Sequence, residues 1–188
     1  MKMGRLANIS LPPIISCKPD APCTKRCYAK SAYRIHPNVK KAWDQNLRIY
    51  QAYPVDYFNQ VDDYLKEKMP AFFRWHVSGD IPDQFYLDCM QWISKYNPET
   101  KFLCFTKRFD FSFRKIKNLK FVLSRWPGDT CDVKGPMAWM QDGTETRIPK
   151  SAHHCYGRCD ECFSCWSLRK NQHIFFEYHN SGRRRKKK

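Results

Sequence analysis

Apolar residues recur along this chain in two rhythms. Between Asn38 and Tyr53, the positions Val39, Ala42, Trp43, Leu47, Ile49 and Tyr50 follow an irregular helical stripe. Between Val55 and Met69 the stripe is cleaner. Val55, Phe58, Val61, Tyr64 and Leu65 fall on one side, and Pro54 suits the first turn. A third helix is expected over Asp83–Tyr96, with Phe85, Leu87, Met90, Trp92 and Ile93 available to a core. Short, dense apolar runs predict strands at Phe72–Val77, Phe102–Phe105, Phe121–Ser124, Pro136–Met140 and Ile174–Tyr178. Ile9–Leu11 reads as a brief first strand, stopped by Pro12 and Pro13.

Strands alternating with helices define an α/β protein with a mostly parallel sheet. The units are too few for a full eight-fold barrel of ~250 residues. A partial (β/α) barrel or an open sheet is expected instead. In both, functional groups collect beyond the C-terminal ends of the strands. Four segments follow predicted strands and could meet on one rim: Cys17–Cys27, Ser78–Asp80, Thr106–Arg108 and Arg125–Trp126. The chain divides into an α/β core over residues 1–150, a cysteine-rich metal module over 151–180 and a disordered basic tail over 181–188.

Hydrophobic residues make up 42% of the 188, enough to fill a core of domain size. No apolar run reaches about 18 residues, so no membrane span is expected. The start of the chain lacks an apolar stretch of signal-peptide length, which points to the cytoplasm. Net charge is +16, and six of those charges lie in Arg183–Lys188. Such an arm is ordinarily solvated, yet it can raise affinity for nucleic acid through counterion release.

Ten cysteines change the picture more. In a reducing compartment they argue for metal or catalytic use rather than disulfides. Cys89, Cys104 and Cys131 stand alone and read as small hydrophobes, Cys104 within a core strand. Cys155-x3-Cys159-x2-Cys162-x2-Cys165 places four thiols within eleven residues. A chain can wrap this closely around an iron–sulfur cube, here most simply [4Fe-4S], and ferredoxin runs are similarly tight. Zinc is the alternative, completed by His153, His154, His173 or His179, although zinc ligands usually come as two separated pairs.

The second group is Cys17-x5-Cys23-x3-Cys27. Three thiolates could hold three irons and leave a fourth open to a small molecule. They could also share a ligand with the C-terminal module, take zinc with His36, or pack as ordinary thiols. Ser78-Gly79-Asp80 could bind a cofactor amine or hydroxyl, or form a plain βα turn with Asp80 capping the next helix. His76 reads as a core histidine. Lys107, Arg108 and Arg125 could bind an anion or remain solvated.

These blocks together resemble the phage "gene product eighty-eight" family. The residues that carry the likeness are Ile9-Ser10-Leu11-Pro12, Cys17…Cys23-x3-Cys27-Tyr28-Ala29, His76-Val77-Ser78-Gly79-Asp80 and Cys159-x2-Cys162-x2-Cys165-Trp166…Phe175…His179. The likeness spans about Ile9 to His179 and implies a phage origin rather than a particular reaction. More broadly, the arrangement resembles radical S-adenosylmethionine enzymes, which have a partial barrel, a three-cysteine loop after the first strand and a glycine-acid motif after the second. That resemblance implies S-adenosylmethionine at Cys17, Cys23, Cys27, Gly79 and Asp80. The usual spacing there is C-x3-C-x2-C, whereas here the gaps are five and three. Two functions follow: an iron–sulfur protein on a radical-enzyme-like scaffold, active in redox or substrate activation, or a zinc-stabilised nucleic-acid-binding phage protein.

Overall fold

The structure, a computed structural model, describes residues 6–130 and 132–178. Cys131, His179 and the Arg183–Lys188 arm lie outside the described residues. Seven strands form one all-parallel sheet: β1 Ala7–Ile9, β2 Phe72–Trp75, β3 Lys101–Thr106, β4 Leu119–Arg125, β5 Met137–Gln141, β6 His153–His154 and β7 His173–Glu177. Their order in space is β1-β2-β3-β4-β5-β7-β6, an open sheet with β1 and β6 at its edges. The crossover from β1 to β2 holds α1 (Ala29–Ile35), α2 (Pro37–Ala52) and α3 (Pro54–Lys68), and α4 (Gln84–Tyr96) joins β2 to β3. Residues 107–118, 126–130 and 132–136 carry the chain onward as loops. None of the described helices is long and apolar enough to cross a membrane.

Local chemistry sets the helix ends. Pro37 and Pro54 open α2 and α3, where a missing N–H costs nothing. The Asp83 carboxylate caps α4 by accepting the Tyr86 N–H at 2.8 Å. The sequence assigned that cap to Asp80; the structure gives it to Asp83, because Ile81 and Pro82 still have to turn the chain away from the sheet. The first strand is also displaced. It ends at Ile9, and Leu11 is fully buried beyond the ladder, its N–H donating to the Ser78 carbonyl at 3.0 Å.

Strand alternation splits the core into two layers. Phe73, Trp75, Phe102 and Cys104 face a helical layer that includes Phe58, Val61, Leu65, Tyr86, Met90 and Ile93. On the other face, Leu103, Val122, Ala138 and Ile174 are covered by Cys165, Trp166 and Leu168. A parallel sheet must be buried on both sides. Here helices cover one face, and the cysteine-bearing segment after β6 covers the other.

At the end of β2, His76 sits in a left-handed backbone (φ 57°) and is 2% exposed. Neither ring nitrogen has a hydrogen-bond partner among the described residues. Burial, reinforced by the Arg74 charge, pulls its pKa from 6.5 down to about 3. The folded state therefore holds this ring neutral, while the unfolded chain takes up a proton below its ordinary pKa. Its contribution to stability is complete above pH 6.5 and is lost as pH falls toward 3, at up to about 1.4 kcal/mol per pH unit. Urea melts between pH 7 and 4 are expected to show a shallower acid loss in His76→Asn than in the wild type. Equal slopes would contradict this assignment.

Candidate metal centre

The four C-terminal cysteines are placed by the way the module docks. β6 pairs with β7, and the Cys155 N–H donates to the Phe175 carbonyl at 2.7 Å. A single helical turn, α5 (Cys159–Cys162), then sets Cys159 and Cys162 three residues apart, and Phe163 ends it in a left-handed conformation. A 3-10 turn over Ser164–Ser167 buries Cys165 and Trp166 against the sheet. Trp166 is the anchor. Its Nε1 donates to the Phe73 carbonyl at 3.3 Å, and its ring meets Phe72 edge-on at 5.5 Å. Phe72 also stacks on Phe163 at 4.4 Å.

The thiols so placed act on one another. Burial pushes Cys165 up to about 12, aided by Cys155 and Cys159. Burial likewise raises Cys159, against the opposing pull of Arg74. Arg74 projects from β2 into this layer and is 4% exposed. Its Nη1 donates to Cys159 Sγ at 3.4 Å, and its guanidinium lies 4.8 Å from the Phe105 ring centre. All nine described cysteines are free thiols. Strand alternation turns His154 and His173 toward the opposite side, where His154 stacks on Phe175 at 4.8 Å. His36 is exposed at the junction of α1 and α2.

The N-terminal thiols belong to a second group at the C-terminal rim of the sheet. Cys17 follows a turn in which its N–H donates to the Ile14 carbonyl at 3.0 Å. Cys23 opens a 3-10 turn over Thr24–Arg26, and Cys27 closes it. Tyr28 comes next, and its hydroxyl donates to the Val77 carbonyl. Burial pushes Cys17 up to about 11, with Asp80 and Cys23 adding to it. Burial raises Cys23 too, while Lys107 opposes the rise. Lys107 stands among these groups. Burial works against its charge, but Cys23, Asp80, Tyr28 and Cys17 together hold its pKa above the ordinary lysine value. Its Nζ also lies 6.0 Å from the Trp126 ring centre. The four segments expected at one rim therefore do meet, and Arg74 acts on both Tyr28 and the C-terminal thiols.

Ser78, Gly79 and Asp80 act as the joint of that rim. Gly79 has φ 77°, and a Cβ on it would lie 2.4 Å from Ser16 Oγ and 2.9 Å from the Leu11 carbonyl oxygen. The close approach that the glycine permits is that of the protein's own first loop. Ser78 is buried. Asp80 Oδ1 accepts from the Ile81 N–H at 2.8 Å and the Thr106 hydroxyl at 2.6 Å, and Oδ2 accepts from the Lys107 N–H at 2.8 Å. The loops after β1, β2 and β3 are thus tied together at one point.

Arg108 and Arg125 are not the solvated cations the sequence allowed. Arg108 donates to the Ile81 and Pro82 carbonyls at 2.9 and 2.7 Å and pairs with Asp110. Arg125 pairs with Asp129 at 2.6 Å. Sequence reasoning missed Arg74 and the pairing of Lys107 with the thiols. A lone arginine within Phe72-Phe73-Arg74-Trp75 was the one available signal.

Among the described residues no three His, Cys, Asp or Glu side chains are arranged to hold a metal ion. A single zinc ion would draw its thiolates to about 3.8 Å from one another, given Zn–S bonds of about 2.3 Å. A four-iron cluster would keep them further apart, one thiolate on each iron. Soft thiolate donors suit zinc, Cu(I) and iron–sulfur clusters alike.

The molecule is an all-parallel α/β protein whose second sheet face is closed by a cysteine-bearing segment. The family model for gene product 88 matches residues 2–168, and the chain belongs to that phage gene-product family. The match takes in both cysteine groups and stops short of β7. No curated protein and no solved structure matches the chain.

Proposed function

We propose that this protein is a phage iron–sulfur protein. Cys155, Cys159, Cys162 and Cys165 would hold the cluster, and the Cys17–Cys27 loop would offer further thiols at the rim. The observation that carries this reading is the gathering of Cys155, Cys159 and Cys165 in the layer over one sheet face, with the Arg74 N–H directed at Cys159 and the exposed Cys162 close enough to act on Cys159 and Cys165. When bound, such a cluster supplies one-electron transfer or a Lewis-acidic iron. The chain's own part is to exclude water with Trp166, Phe163 and Phe72, and to set a fixed positive charge beside Cys159. A donor and a cation next to a thiolate sulfur favour the more negative, reduced state of whatever it ligates. An S-adenosyl group at the rim would have to approach from the Lys107 side, because Leu11 and Ser16 already fill the Gly79 face.

Anaerobic purification tests the reading. The expected protein is brown, absorbs near ~400 nm, and carries iron with acid-labile sulfide. Cys159→Ser and Cys165→Ser are expected to lose most of both. A colourless anaerobic preparation with stoichiometric zinc would refute it.

A further inference from the structure

A groove of 1120 Å³ runs along the N-terminal edge of the sheet, opposite the rim that gathers Cys17, Cys23 and Lys107. Its floor is made by the first residues of β2, β3 and β4. One wall is the end of α4 with the 115–118 loop, and the other is the segment Cys162–Ser167. Five lysines line it: Lys95, Lys101, Lys115, Lys117 and Lys120, against a single acidic residue, Glu99. Among the described residues none of the five takes part in a salt bridge. Four are exposed and Lys120 is half-buried.

Five unneutralised ammonium groups around one concave surface repel one another. Mobile counterions must collect there, and a polyanion that displaces them gains their release entropy. Aromatic surface borders the same groove. Phe163 lines it, stacked on Phe72, and Lys101 lies 5.6 Å from the Phe72 ring centre. Beside Lys95 on α4, Trp92 and Tyr96 are 54% and 56% exposed, with ring centres 4.7 Å apart. Exposed rings beside a basic groove are what unstacked bases need, whereas a duplex keeps its bases stacked inside.

We propose that this groove binds single-stranded nucleic acid, with the five lysines on the phosphates and the Trp92–Tyr96 pair and Phe163 offered to bases. This surface is separate from the Arg183–Lys188 arm. It also brings the strand against the wall that carries Cys162, so occupancy of the groove would shield that exposed thiol.

Fluorescence anisotropy of the full chain with labelled oligothymidylate, free and annealed to oligodeoxyadenylate, tests the proposal. The triple variant K101E/K115E/K117E is expected to bind the single strand about 100-fold more weakly at low salt. Its log K against log [salt] slope should be shallower by about 2, from roughly 0.7 per lost phosphate contact. The corresponding triple glutamine variant is expected to show the same loss of slope with an unchanged circular dichroism melt. Deleting residues 183–188 should weaken binding without removing the difference between wild type and triple variant. The proposal is overturned if the triple variants bind as the wild type does. It is equally overturned if the duplex binds as tightly as the single strand, or if Trp92→Ala leaves single-strand affinity unchanged.

Discussion

Trp166→Ala is expected to cost about 3–5 kcal/mol of stability, the range for removing a large buried aromatic from a packed layer. For a chain of this length that is a fall in Tm of about 10 °C. Three contacts go together: the Nε1 bond to the Phe73 carbonyl, the edge-on contact with Phe72, and the support of Phe163, whose ring centre is 5.9 Å away. The second sheet face has few large side chains to take over, since Leu168 and Cys165 are the other buried members of the covering segment. The module is then expected to loosen before the sheet melts. Cys165 is 9% exposed and holds its proton tightly, so it should react slowly with a disulfide reagent in the wild type. In the variant its reaction should accelerate at temperatures well below the main transition. A Tm within 2 °C of wild type together with unchanged thiol kinetics would remove Trp166 from its role as anchor.

Gly79→Ala is expected to destabilise by about 3 kcal/mol. Placing a side chain at φ 77° costs about 1–2 kcal/mol. The added methyl would also press on the Leu11 carbonyl and Ser16 Oγ, and neither can withdraw freely. Ser16 Oγ donates to the Pro12 carbonyl at 2.7 Å, and the Leu11 N–H is held by Ser78. The first loop must therefore lift as a unit, taking Cys17 away from Asp80 and Lys107. Alanine at Gly128, where a Cβ meets nothing within 4 Å, is the control, because it carries the backbone strain (φ 83°) without the collision. Denaturant melts should rank the two variants clearly, with Gly79→Ala the worse. Equal losses would mean that the close approach of the first loop contributes little.

Much of this was legible in the chain, for a physical reason. α2, α3, α4 and the strands β2, β3, β4, β5 and β7 each carry a readable apolar pattern, and the structure places them within a few residues of the expected limits, although Val55, Tyr64, Phe85 and Trp92, which the helical stripes assigned to the core side, are exposed. α1 was not foreseen because Ala29 is its one buried residue, so it has no stripe. β6 is two residues long and exists through its pairing with β7. Leu11 looked like strand because it is apolar and buried, but its burial comes from crossing Gly79. At the sites, the cysteine groups announce themselves by spacing. Arg74 does not, because a buried cation is chosen by what it touches across the sheet, and Cys159 lies 85 positions away in the chain.

The order β5-β7-β6 has a consequence for the time course of synthesis. β6 has no hydrogen-bonding partner until residues 173–177 have left the ribosome, because β7 is the strand it pairs with. The first five strands and their helices can assemble while the polypeptide is still growing. The pairing that holds His153, His154 and Cys155 cannot form until β7 slides between its neighbours. The thiols that follow β6 thus stay accessible to solvent until that late step, and only then is the door closed on them.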